Sequence, residues 1–186
     1  MGGIDIAILC KAEYVLYFGR YSEEKGVRTL CTACRELPDI QFVFAGKGHL
    51  KELVDGIDNV DDIGFQLNND LDSWVRNARF VVVPSEWYEP FGLTVIEAIS
   101  LGTPVVGANI AGIQEIIEGN PVGIVYEAGN KEEMKETILK LWNDDIAYRK
   151  LKQGCNLYHF MTVEKYYSRL FNGIYCGEDR DENTDY

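Results

Sequence analysis

The chain has 186 residues, 46% of them hydrophobic and 26% charged, an ordinary globular composition with length enough to bury one full core. No apolar run approaches the ~20 residues that cross a bilayer, and residues 4–10 follow no basic region and resemble no complete signal peptide. The net charge of -12, from 30 acidic and 18 basic residues, argues against broad nucleic-acid contact, although a few cations beside a helix N-terminus still suit a phosphate ligand.

In chain order, residues 14–18 read as a strand ended by Gly19. Apolar residues at 27, 30, 31, 34 and 37 give 23–37 a helical rhythm, which Pro38 closes. Residues 41–45 form a second strand ending in Gly46-Lys47-Gly48, then 49–54 a short helix and 59–64 a weaker strand containing Asp61 and Asp62. Leu67, Leu71, Trp74, Val75 and Ala78 mark the next helix. Phe80–Val83 is the strongest strand signal: four apolar residues without alternation, stopped by Pro84, as in a central strand covered on both faces. A polar loop, 85–90, leads into an apolar helix over 92–101 closed by Gly102. A strand core at Val105 and Val106, a short helix over 113–117 and a last strand over 123–125 follow. Helices are expected over 131–142, 146–158 and 163–175.

About six strands alternating with helices predict an α/β, Rossmann-like, parallel six-stranded sheet with helices on both faces. One domain is expected over 1–175, followed by a disordered acidic tail over 176–186. Ligands of such sheets lie beyond the carboxyl ends of the strands. The unusual loops fall there: Gly19 and Arg20 after the first strand, 46–48 after the second, 64–66 after the third, and 84–92 after the fourth.

Gly19-Arg20-x4-Lys25-Gly26 sets two cations around a strand-to-helix loop, where they could grip adjacent phosphates or stand as incidental charges on a surface turn. No GxxxxGK[ST] or GxGxxG is present, which excludes a Walker loop and a dinucleotide fingerprint. Gly46-Lys47-Gly48 reads equally as a tight turn and as a point of ligand approach; His49 reads as a hydrogen-bonded or exposed histidine, with ligand contact as the alternative, and His159 carries no assigned role. Residues 84–94, Pro-Ser-Glu-Trp-Tyr-Glu-Pro-Phe-Gly-Leu-Thr, run from a buried strand straight into a helix. With 91–94 as its first turn, the free amides of Phe91, Gly92, Leu93 and Thr94 suit an anion. Glu97, set among Leu93, Val95, Ile96, Ala98 and Ile99, belongs either to a buried salt bridge or to a ligand diol. The five cysteines are odd in number and irregularly spaced, which suits a reducing cytoplasm; Cys31 and Cys34 read as buried free thiols in a helix, with redox or metal chemistry as the alternative. The Asp-x-Asp at Asp179–Asp181 falls in the acidic tail, and no bound metal is expected.

These motifs, GR-x4-KG, PS-x3-EPFG, the Glu89–Glu97 spacing, a TPV after the helix and the Ala111-Gly112 loop, resemble the large family of retaining glycosyltransferases with the GT-B fold, of which this chain would be the donor-binding half. The resemblance implies that Arg20 and Lys25 bind the donor diphosphate, Arg20 as a buried multidentate donor whose loss costs most. It implies that Glu97 binds the ribose hydroxyls, and that Glu89, further out, binds the donor sugar. Gly92, Leu93 and Thr94 offer amides to phosphate, and the Gly64 loop lies near the base, all in a single cleft. The donor is a GDP- or UDP-sugar, with mannose as the leaning for the sugar, and no cofactor is tightly bound. The family carries a preceding acceptor domain, expected as the partner and as a route to peripheral membrane contact; the final helix should then leave part of its apolar face uncovered. The family's doubled glycine reads Ala111-Gly112 here. A nucleotide-sugar 2-epimerase and a non-catalytic nucleotide-sugar-binding module are the alternatives.

Overall fold

The computed structural model describes residues 14–158. Strands β1 (Val15–Arg20), β2 (Phe42–Lys47), β3 (Val60–Asp62), β4 (Phe80–Val83), β5 (Val105–Ala108) and β6 (Gly123–Tyr126) form one sheet in the order β3-β2-β1-β4-β5-β6. Every pairing is parallel. Helices α1 (Val27–Glu36), α2 (Lys51–Val54), α3 (Asn68–Asn77), α4 (Leu93–Ser100), α5 (Ala111–Ile117), α6 (Lys131–Asn143) and α7 (Asp145–Leu157) connect or follow the strands. Residues 1–156 form one unit; of the second, 157–186, only Leu157 and Tyr158 are described. The helix expected over 163–175, the acidic tail, the boundary at 175, His159, Cys10 and Cys176 lie outside the described residues.

The two-residue alternation of a strand explains the layering. On one face Val15, Tyr17, Phe42, Phe44, Phe80, Val82 and Val106 join Leu30 and Cys34 of α1 and Met134, Ile138 and Leu141 of α6 in one core. The intervening residues Leu16, Phe18, Val43, Val81, Val83 and Val105 are buried as well. Helices α4 and α5 pack on β4 and β5, and a Cβ on Gly107 would meet Ile113 and Ile117 of α5. Both faces of β1 and β4 are therefore dry, which is why these strands read as unbroken apolar runs. Cys31 and Cys34 are buried free thiols, as expected, and burial pushes the Cys31 thiol up to about 11.

The helix expected over 23–37 is two elements: a 3-10 turn, Glu23–Lys25, then α1, separated by Gly26 in the left-handed region at φ 66°. A Cβ there would overlap the Pro84 carbonyl oxygen, so Gly26 lets the loop after β1 lie directly on the exit of β4. Gly46 and Gly48 have the same kind of role. Side chains at those positions would strike the Gly19 carbonyl and the Tyr21 backbone, and the Tyr21 amide donates to Lys47 while its carbonyl accepts from Leu50. Of the two readings of Gly46-Lys47-Gly48, the structure supports the packing turn.

Arg79, at the entrance to β4, is a buried charge that the sequence did not announce. It pairs with Asp145 at 2.6 Å, donates to the Trp142 carbonyl at 2.9 Å and lies over the Tyr148 ring, tying α6 and α7 to the sheet. Among the described residues no helix is long and apolar enough to cross a membrane.

Candidate functional site

Strand order reverses between β1 and β4, so their exit loops diverge around the switch point where parallel sheets hold ligands. Here the two loops are fastened together. The Glu86 amide donates to the Glu24 carbonyl at 3.0 Å, the Thr29 hydroxyl donates to Glu86, and Gly26 packs on Pro84. A third loop closes the other side: the Gly112 amide donates to the Glu89 carbonyl at 3.1 Å, and a side chain on Gly112 would press on the backbone of Glu89, Pro90 and Phe91. Ala111, where the resembled family doubles the glycine, sits at a positive φ of 33°. It takes the conformation that glycine adopts more easily.

Within this frame the Lys25 ammonium forms an ion pair with the Glu89 carboxylate, the two side chains 30% and 20% exposed. They line a cavity of about 320 Å³ with Glu24, Trp87 and Tyr88. The expectation that Glu89 lies away from the cations is corrected: it is the direct partner of Lys25. Arg20 is corrected too. It ends β1 beside Lys47 of β2, but its side chain is 70% exposed, and its one ion pair among the described residues is a 3.4 Å contact with Glu24. Such an exposed pair leaves the guanidinium free to swing. Gly19, at φ 148°, sits one residue earlier.

Helix α4 starts at Leu93, with Gly92 as its cap at φ 57° and no side-chain cap. No hydrogen bond of the described residues uses the amides of Leu93, Thr94 or Val95; the first amide of this helix with a partner is Ile96, which donates to Gly92. The helix thus presents unpaired donors four residues after Glu89. Phe91 and Leu93 are exposed.

Glu97 is not embedded in the core. Val95, Ala98 and Ile99 face inward, whereas Leu93, Glu97 and Ser100 lie on the outer stripe of α4. Glu97 borders a second cavity of about 270 Å³, with Phe18 of β1, Leu71, Asp72 and Val75 of α3, and Leu101. Glu97 and the Lys25–Glu89 pair therefore border two different cavities where one cleft was expected, and Glu97 makes no salt bridge among the described residues. Gly64 follows β3 at φ 69° with open space around it, its amide held by Asp62 at 2.9 Å. Trp87, Tyr88, Asp72 and Glu24 had no role in the sequence reading; the one legible hint was an aromatic pair inside an otherwise polar loop. Among the described residues no three His, Cys, Asp or Glu side chains gather as metal ligands.

A sequence profile of the family described as Glycosyl transferases group 1 matches residues 6–155. The chain belongs to this family. Among curated relatives, the Alpha-D-kanosaminyltransferase of Streptomyces kanamyceticus is 33% identical over 141 residues, 70% of this chain and 36% of that protein. The chain thus spans little more than a third of that relative's length. Among solved structures, Anabaena Alr3699/HepE in complex with UDP matches with a TM-score of 0.69 at 23% identity, over 77% of this chain and 42% of that one. The C-terminal domain of a glycosyl transferase group 1 family protein (LpcC) from Francisella tularensis matches with a TM-score of 0.66 at 25% identity, over 76% of this chain and 82% of that one. The six-stranded parallel sheet is the α/β, Rossmann-like fold of these GT-B neighbours.

In this group 1 chain Glu97 is an acid whose ionisation the fold opposes. Desolvation raises its pKa above the ordinary value, and the nearby charge of Asp72 raises it further. A raised folded-state pKa favours folding fully below the unfolded value, about 4.3, and the gain is lost as pH rises through the folded value. Glu97→Gln is therefore expected to raise the thermal midpoint slightly at neutral pH, with the advantage vanishing below about pH 4. Melting curves of both proteins at the two pH values check this; a midpoint lowered at neutral pH would reveal a stabilising contact of the carboxylate.

Proposed function

We propose that this chain binds a nucleoside-diphosphate sugar and supplies the donor half of a glycosyl transfer that retains the anomeric configuration. The observation that carries the reading is the Lys25–Glu89 ion pair on loops fastened together at the switch point, with Glu89 four residues ahead of the amides at the start of α4 that have no partner among the described residues. A diphosphate satisfies both an ammonium and free helix-terminal amides. Membership of a transferase family supports the reaction class, and the fold match to a protein solved with UDP supports the ligand class.

In the proposed reaction the bond between sugar C1 and the diphosphate oxygen breaks while a bond from C1 to the acceptor oxygen forms on the same face. The acceptor's proton leaves with the departing diphosphate. Lys25, the α4 amides and a mobile Arg20 stabilise the charge that develops there. Glu89 accepts hydrogen bonds from the donor sugar, Glu97 from the ribose, and the Gly64 loop borders the base. An acceptor-binding part outside these 186 residues completes the cleft and orients the attacking hydroxyl.

A thermal-shift panel of UDP-glucose, GDP-mannose and ADP-glucose tests the reading and includes the mannose expected from the sequence. At ~100-fold excess over Kd the preferred donor is expected to raise the midpoint by about 5–10 °C. No shift with any of the three would contradict the proposal. Binding without sugar transfer by the longer protein would favour the non-catalytic module.

A further inference from the structure

Four large apolar side chains, Trp87, Tyr88, Phe91 and Leu93, stand exposed within seven residues of the loop that leads into α4. Isolated exposed apolar residues need no explanation, but a group of this size beside a cavity does. Trp87 and Tyr88, 73% and 72% exposed, also line the cavity that holds the Lys25–Glu89 pair and Glu24.

We propose that Trp87 and Tyr88 form a stacking platform for the face of a pyranose ring, a proposal that rests on the sugar-transfer reading of the same site. A pyranose has an apolar face of polarised C–H groups and a rim of hydroxyls. The electron-rich faces of indole and phenol attract the first, as they attract other partners of partial positive charge. The carboxylates of Glu24 and Glu89 accept hydrogen bonds from the second. An apolar protein surface is the poorer fit. Seated here, it would strip water from Glu24 and from the Lys25–Glu89 pair without replacing their hydrogen bonds, a heavy desolvation penalty. A hydroxylated ring covers the aromatic faces and keeps the charges hydrogen-bonded. The ring is either the sugar of the donor or a separate saccharide that accepts it, and one set of titrations distinguishes these sources.

Trp87 is the most exposed of the three tryptophans, Trp74 and Trp142 being partly buried, so its fluorescence reports on the platform. Wild type, Trp87→Ala, Tyr88→Ala and Trp87→Phe are titrated by calorimetry with UDP, UDP-glucose, GDP, GDP-mannose, and methyl α-glucoside and methyl α-mannoside. Wild-type and Tyr88→Ala fluorescence is followed in parallel. Both residues are exposed, so unchanged melting curves serve as the folding control. If the ring is the donor's, either alanine weakens a sugar nucleotide by about 5- to 10-fold and spares the free nucleotide. If the ring belongs to a separate saccharide, the donors bind as before and binding of the methyl glycoside is lost. In either case Trp87→Phe retains most of the affinity. Nucleotide sugars and glycosides that bind the alanine variants as they bind wild type would overturn the platform and leave the patch as a protein-docking surface. Wild type that binds no nucleotide would instead refute the proposed function; the glycoside titrations, which need no nucleotide, would still decide the platform.

Discussion

Lys25→Met is expected to weaken nucleoside-diphosphate binding by about 30- to 150-fold, the effect of removing one charge-assisted partner worth roughly 2–3 kcal/mol. Glu89→Gln is expected to do the opposite. In the free protein Glu89 neutralises Lys25, so a diphosphate must compete with that carboxylate for the ammonium. Removing the competitor tightens UDP or GDP by about 5-fold, the worth of a partly exposed ion pair of ~1 kcal/mol. A sugar nucleotide should not share this gain, because the released carboxylate then accepts the sugar hydroxyls. The Glu89→Gln effect is therefore a gain for UDP and no gain for a UDP-sugar. Arg20→Met is expected to have a smaller effect than Lys25→Met, since the Arg20 side chain is 70% exposed and must be ordered on binding. Calorimetry of the three variants checks the order. Equal losses for Lys25→Met and Glu89→Gln with UDP would mean that the pair only holds the loop in place.

Gly26→Ala is expected to lose about 3 kcal/mol of stability, from the left-handed backbone and from overpacking against Pro84 together. For a chain of this size that lowers the midpoint by roughly 6–12 °C. Gly56→Ala is the control. Gly56 also has a positive φ, 76°, but nothing lies within 4 Å of its would-be Cβ, so only the conformational cost of about 1 kcal/mol remains. Because Gly26 lies between Lys25 and the exit of β4, its variant should also lose nucleotide affinity, whereas the Gly56 variant should keep it. Equal destabilisation by the two substitutions would show that the contact with Pro84 carries no energy.

The sheet was legible because its central strands, buried on both faces, are continuous apolar runs. Even β3, which the structure places at the edge, showed itself as a weak, acid-containing strand. The break at Gly26 was not legible, since it depends on Pro84, 58 positions away, and helical periodicity carries no information about such a contact. The Lys25–Glu89 pairing escaped for the same reason: the loop holds both Glu86 and Glu89, and spacing alone does not select between them. For Glu97 the sequence held a clue that the apolar neighbours masked. Ser100, three residues on, shares its stripe of the helix and marks that stripe as outward-facing. The exposure of Arg20 depends on how the 3-10 turn at Glu23–Lys25 carries the chain away from β1, which motif spacing does not encode.

Backbone amide resonances of the 15N-labelled chain, followed during titrations with UDP and with GDP, report on the start of α4 itself. Saturable shifts are expected at Leu93, Thr94 and Val95, whose amides have no partner among the described residues, together with Lys25 and Gly26. Shifts confined to the amino-terminal ends of the strands, around Tyr14, Phe42 and Phe80, with the α4 amides unmoved at saturation, would contradict the proposed site.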